Sequence, residues 1–208
     1  GKLRSDLLAG LQFIRRDPVL LWMAIGLAIS NCLMAPLAAV ILPVFVTETS
    51  NRASDLGLLL AAGSIGVLIG ALLFGAIGHR APRRAIWLIA YMASPAVLWA
   101  LAAEFPLWAL IGVSAVAYIA LGPLNPLMVT IRHERAPPEN RGHVFASYSA
   151  IAMSAGPIGM LLGGFLVEDA GLRPTVIVLA IAAQLLAIAM VFIPAFRRLD
   201  ESAPPAGE

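Results

Sequence analysis

Six blocks of apolar residues, separated by short polar turns, limit what this 208-residue chain can fold into. A hydrocarbon layer roughly 30 Å thick is crossed by about 20 apolar residues, because a helix rises about 1.5 Å per residue. The blocks run from about Val19 to Val46, Leu56 to Gly78, Ala85 to Ala103, Leu107 to Ile131, Gly142 to Val167 and Arg173 to Ala195. Only 12% of residues are charged, against roughly 25% in a soluble domain. That is too few to coat a water-facing surface, and the mean hydropathy of +0.89 agrees. The expectation is an all-α membrane protein with six transmembrane helices in a lipid bilayer.

The flanks divide the chain into an amphipathic linker over residues 1–17, a six-helix bundle over 18–196 and a tail over 197–208. In the linker, Leu3, Leu7, Leu11 and Ile14 recur at helical spacing among Arg4, Ser5, Asp6, Gln12, Arg15 and Arg16. This pattern predicts a short helix at the membrane surface or against other loops. Asp17-Pro18 reads as a helix start. Pro36 and Pro43 lie within the first block, where proline often kinks a span. From Phe196 the chain is polar and Pro-rich, the composition of disorder. Gly1 stands where a Met would begin a chain, which points to a cut or processed end, and no cleavable signal pattern precedes the first block.

Charge placement predicts orientation. All 14 Lys and Arg residues except Arg52 and Arg173 fall on one side of a six-span arrangement: Lys2 to Arg16, Arg80 to Arg84, Arg132 to Arg141, and Arg197 with Arg198. The positive-inside rule then places both termini and both basic turns in the cytoplasm. The net charge of +2 is therefore a matter of topology, and no nucleic-acid partner is expected. Cys32 is the single cysteine, so no disulfide framework or cysteine metal site is expected. His79, His133 and His143 all lie in turns, so no membrane Ser–His pair is available for proteolysis. His143 and Ser147 are one helical turn apart but lack an apparent third orienting residue. The histidine spacing fits no zinc pattern, and no Walker-type glycine loop occurs. Neither an enzyme nor a bound cofactor is expected.

Glycine concentrates in the second and fifth blocks and is absent from the third and sixth. Gly66-x-x-x-Gly70 and Gly159-x-x-x-Gly163 put bare backbone on one helix face, which allows close helix contact. Such faces serve either packing within the six-helix unit or contact with a second domain outside this chain. No Asp, Glu, Lys, Arg or His lies deep within a block, where a charge would cost about 2.5 kcal/mol or more at the bilayer centre. The uncharged polar residues near mid-depth are Asn31, Tyr118, Ser154 and Gln184. Each either bonds substrate in a water-filled cavity or satisfies a neighbouring helix. Asn125, between Pro123 and Pro126, marks an expected helix break.

Several segments together resemble the major facilitator superfamily. Gly75-x-x-x-His79-Arg80-x-Pro82-Arg83-Arg84 is similar to the signature that follows the second helix of a half. His79 stands at its acidic position and Pro82 at its second glycine. Pro137 to Val144 resembles the Pro-Glu-x-Arg-Gly-Arg-Val segment of bacterial drug and siderophore exporters. Gly156-Pro157-Ile158-Gly159 through Gly164 resembles the start of their eleventh helix, and Gly10 to Pro18 the linker into their seventh. The resemblance implies the C-terminal half of a twelve-helix fold, with each half made of two inverted three-helix repeats and substrate bound between halves. It implies secondary efflux of small amphipathic molecules such as drugs or siderophores by alternating access across the inner (plasma) membrane. The partner would be a missing N-terminal six-helix half, touched by the second and fifth helices. Asn31, Tyr118 and Ser154 would line the substrate cavity with Asn125 near its cytoplasmic mouth, and Gly75, Arg80, Arg83 and Arg84 would form a cytoplasmic gate. The alternatives are a non-transporting membrane interaction module and a half-size unit acting as a homodimer through its glycine faces.

Overall fold

Each apolar block folds as helix. The computed structural model describes residues 10–138 and 141–200, with the backbone alone at His79. Among these residues six helices are long and apolar enough to cross a membrane: α1 (Pro18–Thr49), α2 (Ala53–Ile77), α3 (Arg83–Ala102), α4 (Leu107–Arg135), α5 (Arg141–Ala170) and α6 (Leu172–Phe192). Asp17 starts α1, as its Oδ1 accepts the N–H groups of Val19 at 2.8 Å and Leu20 at 3.3 Å. Pro18 fills the first helical position, where a missing N–H costs nothing. A single residue, Gly171, joins α5 to α6. Its φ of +87° is a backbone state that a side chain disfavours.

Proline sets the irregularities. Pro36 in α1 is followed by a π-helical turn, Leu37–Ile41. α4 breaks at Gly122-Pro123, between Leu107–Leu121 and Leu124–Arg135, next to the expected position at Asn125. α3 also breaks, at Ser94-Pro95, between Arg83–Ala93 and Ala96–Ala102. The expected third span had no such break.

The packing has an internal symmetry. The most extensive helix pairs are α1 with α5 and α2 with α4; α3 also packs on α6 and α4, and α6 on α1. Exchanging α1 with α4, α2 with α5 and α3 with α6 maps this set onto itself. Three spans are an odd number, so the second set enters the bilayer from the opposite side. The bundle is thus two inverted three-helix repeats. Its core lies in two clusters, one around Trp87, Tyr148 and Phe196 at the basic end and one around Leu98, Leu110 and Ala180 towards the other.

The packing sharpens three of these readings. The glycine faces do not look outward: a Cβ on Gly66 would stand 2.5 Å from the Ala115 carbonyl oxygen, and one on Gly70 would strike the Ile119 carbonyl, both on α4. A Cβ on Gly159 would strike the Cys32 carbonyl, and one on Gly163 would lie 2.5 Å from Pro36 Cβ, both on α1. These rows are filled inside the unit, so they serve neither a second domain nor a homodimer. The tail is not disordered from residue 197: Pro194–Leu199 forms a 3-10 helix with Phe196 and Leu199 buried. Two apolar residues in a polar stretch are enough to dock it, and residues 201–208 lie outside the described residues. Finally, the linker helix over residues 10–16 lies against α5, where a Cβ on Gly10 would strike the His143 carbonyl and Ser147 Oγ. Ile14 of this helix is 1% exposed, whereas Leu3 and Leu7 lie outside the described residues.

Candidate functional site

The basic end is held by charges placed against the helix dipoles. Arg83 opens α3 and Glu134 sits in the last turn of α4, each at the helix end whose partial charge repels it. They offset one another through a bidentate pair, Nη1 to Oε2 at 2.5 Å and Nη2 to Oε1 at 2.8 Å. Pro82 offers α3 no side-chain cap. Asp200 of the tail supplies it, accepting the Arg83 backbone N–H at 2.6 Å. Asp17 has two tasks, since it caps α1 and pairs with Arg135 at the end of α4 at 3.0 Å. Arg135 Nη2 also donates to the Arg198 carbonyl at 3.1 Å. Linker, turns and tail are thereby tied to the same end of α4.

The four residues of the expected gate occupy different settings. Arg83 pairs with the Glu134 carboxylate. Arg84 Nη2 lies 3.4 Å from the Val191 carbonyl in the last turn of α6, a long bond. Arg80 is exposed, and the space around a Cβ on Gly75 is open.

One residue at this end escaped the sequence reading. Arg132 is 7% exposed. Its guanidinium lies over the rings of Phe145 and Tyr148 of α5, 4.5 Å from each centroid, and its Nε donates to the Met128 carbonyl at 3.0 Å. Among the described residues it has no acidic partner. Cation–π contacts of about 2 kcal/mol when desolvated stand in for one. The signal was present: Leu124, Met128 and Arg132 repeat every four residues, so Arg132 continues the apolar stripe of α4.

The expected cavity residues do not meet in one pocket. Asn31 Nδ2 donates to the Ala152 carbonyl of α5 at 2.7 Å, joining α1 to α5. Ser154 and Asn125 are exposed, and Ser154 Oγ donates back to Ile151 of its own helix at 2.9 Å. Gln184 accepts from Trp99 Nε1 of α3 at 3.4 Å. Tyr118 borders a space of ≈ 150 Å³ between α1, α2, α3 and α4 that Ser64 and buried Ser114 also line. Its ring covers Gly63, 3.2 Å from where a Cβ would be. The arrangement offers polar contacts within the bundle and open apolar faces outside it.

A family model described as Major Facilitator Superfamily matches residues 24–208. The chain is 32% identical over 201 residues to the Multidrug efflux pump Tap of Mycolicibacterium fortuitum, covering 97% of this chain and 49% of that protein. It is 30% identical over 196 residues to the Multidrug efflux pump Tap of Mycobacterium bovis (strain BCG / Pasteur 1173P2), covering 94% of this chain and 46% of that protein. An uncharacterized MFS-type transporter, y4rN of Sinorhizobium fredii, is 28% identical over 188 residues, with 89% and 46% covered. The chain spans about half the length of the curated relatives it matches.

Proposed function

The chain belongs to the major facilitator superfamily, and we propose that it works as the C-terminal half of a secondary efflux transporter for small amphipathic molecules. The observation that carries this reading is the half-length match to relatives named as multidrug efflux pumps. The exposed faces support it. α2 and α5 are the least buried of the six spans, and they present Leu68, Leu72, Leu161 and Phe165 away from the bundle. With the glycine rows filled inside, these opposite faces of the same two helices are the ones left for a second six-helix half. Alternating access would then rock one half against the other around a substrate near mid-membrane. The tied basic end moves as one body in that scheme, with the Arg83–Glu134 pair at the cytoplasmic rim.

The test is flux in proteoliposomes. The chain is compared alone and joined to the N-terminal half of the Mycolicibacterium fortuitum relative, with ethidium as substrate. Efflux is expected only from the joined protein, and full flux from the chain alone would overturn the half-transporter reading. The orientation is tested separately, by labelling single cysteines at Arg52 and His133 in cells. Labelling from opposite sides of the plasma membrane is expected, and labelling from the same side would overturn it.

A further inference from the structure

The tail that closes the basic end is a short lever on a proline hinge. α6 stops at Phe192, and Ile193 is extended, with φ −71° and ψ 115°, as the residue before a proline favours. Pro194–Leu199 then runs as a 3-10 helix to the start of α3. One apolar patch and two exposed hydrogen bonds hold it there. Phe196 and Leu199 are 0% and 1% exposed, and the Phe196 ring lies 5.2 Å from that of Trp87 between centroids. Asp200 accepts the Arg83 N–H at 2.6 Å, and the Arg198 carbonyl accepts from Arg135 at 3.1 Å.

The surface beneath is imperfectly satisfied. Among the described residues, three buried side-chain polar atoms have no hydrogen-bond partner: Arg84 Nε, Trp87 Nε1 and Tyr91 Oη. All belong to α3, and their spacing of three and four residues puts them on one face. That face meets α6 and the tail. Arg84 reaches the Val191 carbonyl only by its long Nη2 bond, Trp87 lies against Phe196, and the Tyr91 hydroxyl and the Met190 side chain crowd the same Cβ position of Gly26. Pro194 adds to the deficit, since it has no N–H to offer the Met190 carbonyl four residues back. A buried donor without an acceptor keeps its desolvation cost and recovers nothing. Such groups are rare in native cores, yet here they gather along one helix under a hinged segment.

We propose that residues 194–200 form a strap with two positions. Docked, it seals the seam between α3 and α6, with the Asp200 carboxylate as its latch. Lifted about Ile193-Pro194, it admits water to Arg84 and Trp87 and uncaps the start of α3. The unpaired donors oppose the apolar contacts of Phe196 and Leu199, which keeps the two positions close in free energy. The strap belongs to this chain alone and does not rest on the transport reading.

Two measurements on the full chain in phosphatidylcholine nanodiscs test it. The first is the initial rate at which trypsin cuts after Arg197 and Arg198, read by mass spectrometry, because cleavage follows the population of a locally opened state. Asp200→Ala is expected to be cut about tenfold faster there, the effect of a lost helix cap. The cut after Arg52, at the opposite end of the bundle, is expected to keep its native rate. Trp87→Phe keeps a ring against Phe196 but removes an unpaired N–H, so its tail is expected to be cut about threefold more slowly. A native rate in Asp200→Ala, an equal rise after Arg52, or a rate in Trp87→Phe at or above the native one would each overturn the strap. The second measurement is acrylamide quenching of Trp87 fluorescence, with Trp22, Trp99 and Trp108 replaced by phenylalanine. Adding Phe196→Ala and Asp200→Ala together is expected to raise quenching several-fold. Trp87 as shielded in that variant as with the native tail would show that the tail is not its cover, and the proposal would fail.

Discussion

The α2/α4 and α1/α5 pairs occupy equivalent places in the two repeats and close in different ways. In both, the glycine row lies on the same member of the repeat, α2 or α5, and the partner bends near the second glycine. Gly70 faces Gly122 just before the α4 break, and Gly163 faces Pro36 just before the π-helical turn of α1. The α2/α4 seam is backbone against backbone, with Tyr118 laid over Gly63 and no side-chain hydrogen bond between the helices among the described residues. The α1/α5 seam ends against a proline ring and carries the Asn31–Ala152 bond at 2.7 Å. Close approach and an adjacent bend are thus what the repeats share, and the polar contact is what one of them adds.

The comparison is broken most directly by filling the seams. Gly70→Leu and Gly159→Leu each force a side chain into a facing carbonyl, and each is expected to cost about 3 kcal/mol, the upper range for overpacking, or to abolish folding. Gly75→Leu and Gly164→Leu lie on the same two helices with open space around them. They are expected to stay within about 0.5 kcal/mol of the native protein. Reversible unfolding in mixed micelles measures all four. Equal losses at Gly75 or Gly164 would mean that helical glycine itself, and not the seam, is what matters.

A single methyl sharpens the contrast. Gly70→Ala meets the Ile119 carbonyl and the Gly122 backbone, which cannot shift without parting the helices. Gly163→Ala meets Pro36 Cβ and Cγ, and a ring can pucker while the π-helical turn beside it absorbs strain. The first is expected to cost about 1–2 kcal/mol and the second less than about 1 kcal/mol. The same unfolding measurement decides, and the reverse order would show that the α1 bend is the stiffer of the two.

How much of this was legible depended on whether a feature is a property of one helix or of two. The six spans could be read because hydropathy and basic turns act locally; their ends moved, and α3 gained a break at Ser94-Pro95. α4 runs on to Arg135 because Arg132 continues its apolar stripe. The glycine rows could be read as close-packing faces, but the sequence does not say which partner fills them, since that depends on how two helices are rotated against each other. The role of Asp200 was hidden for the same reason. It caps a helix more than a hundred residues away, and it reaches there only because Phe196 docks against Trp87, with ring centroids 5.2 Å apart. The role of the candidate cavity residues was the least legible: a lone polar side chain in a span looks the same whether it waits for substrate or bonds a neighbour.

That last ambiguity yields the smallest effects and a clean separation between the two seams. Asn31→Leu removes a side-chain bond that ties α1 to α5 through a polar group. Interhelical bonds in membranes average about 0.6 kcal/mol, so a loss of that size is expected in unfolding measurements. Tyr118→Phe keeps the ring over Gly63 and deletes a hydroxyl that makes no hydrogen bond among the described residues, so stability is expected to stay within about 0.5 kcal/mol. If Tyr118 contacts substrate, the same variant of the joined transporter would still change ethidium flux while its melting temperature holds. Asn31→Leu would then change flux only in step with stability. A flux defect in Asn31→Leu with native stability would place Asn31 in the cavity instead, and would make the α1/α5 bond incidental to the packing that the glycines already secure.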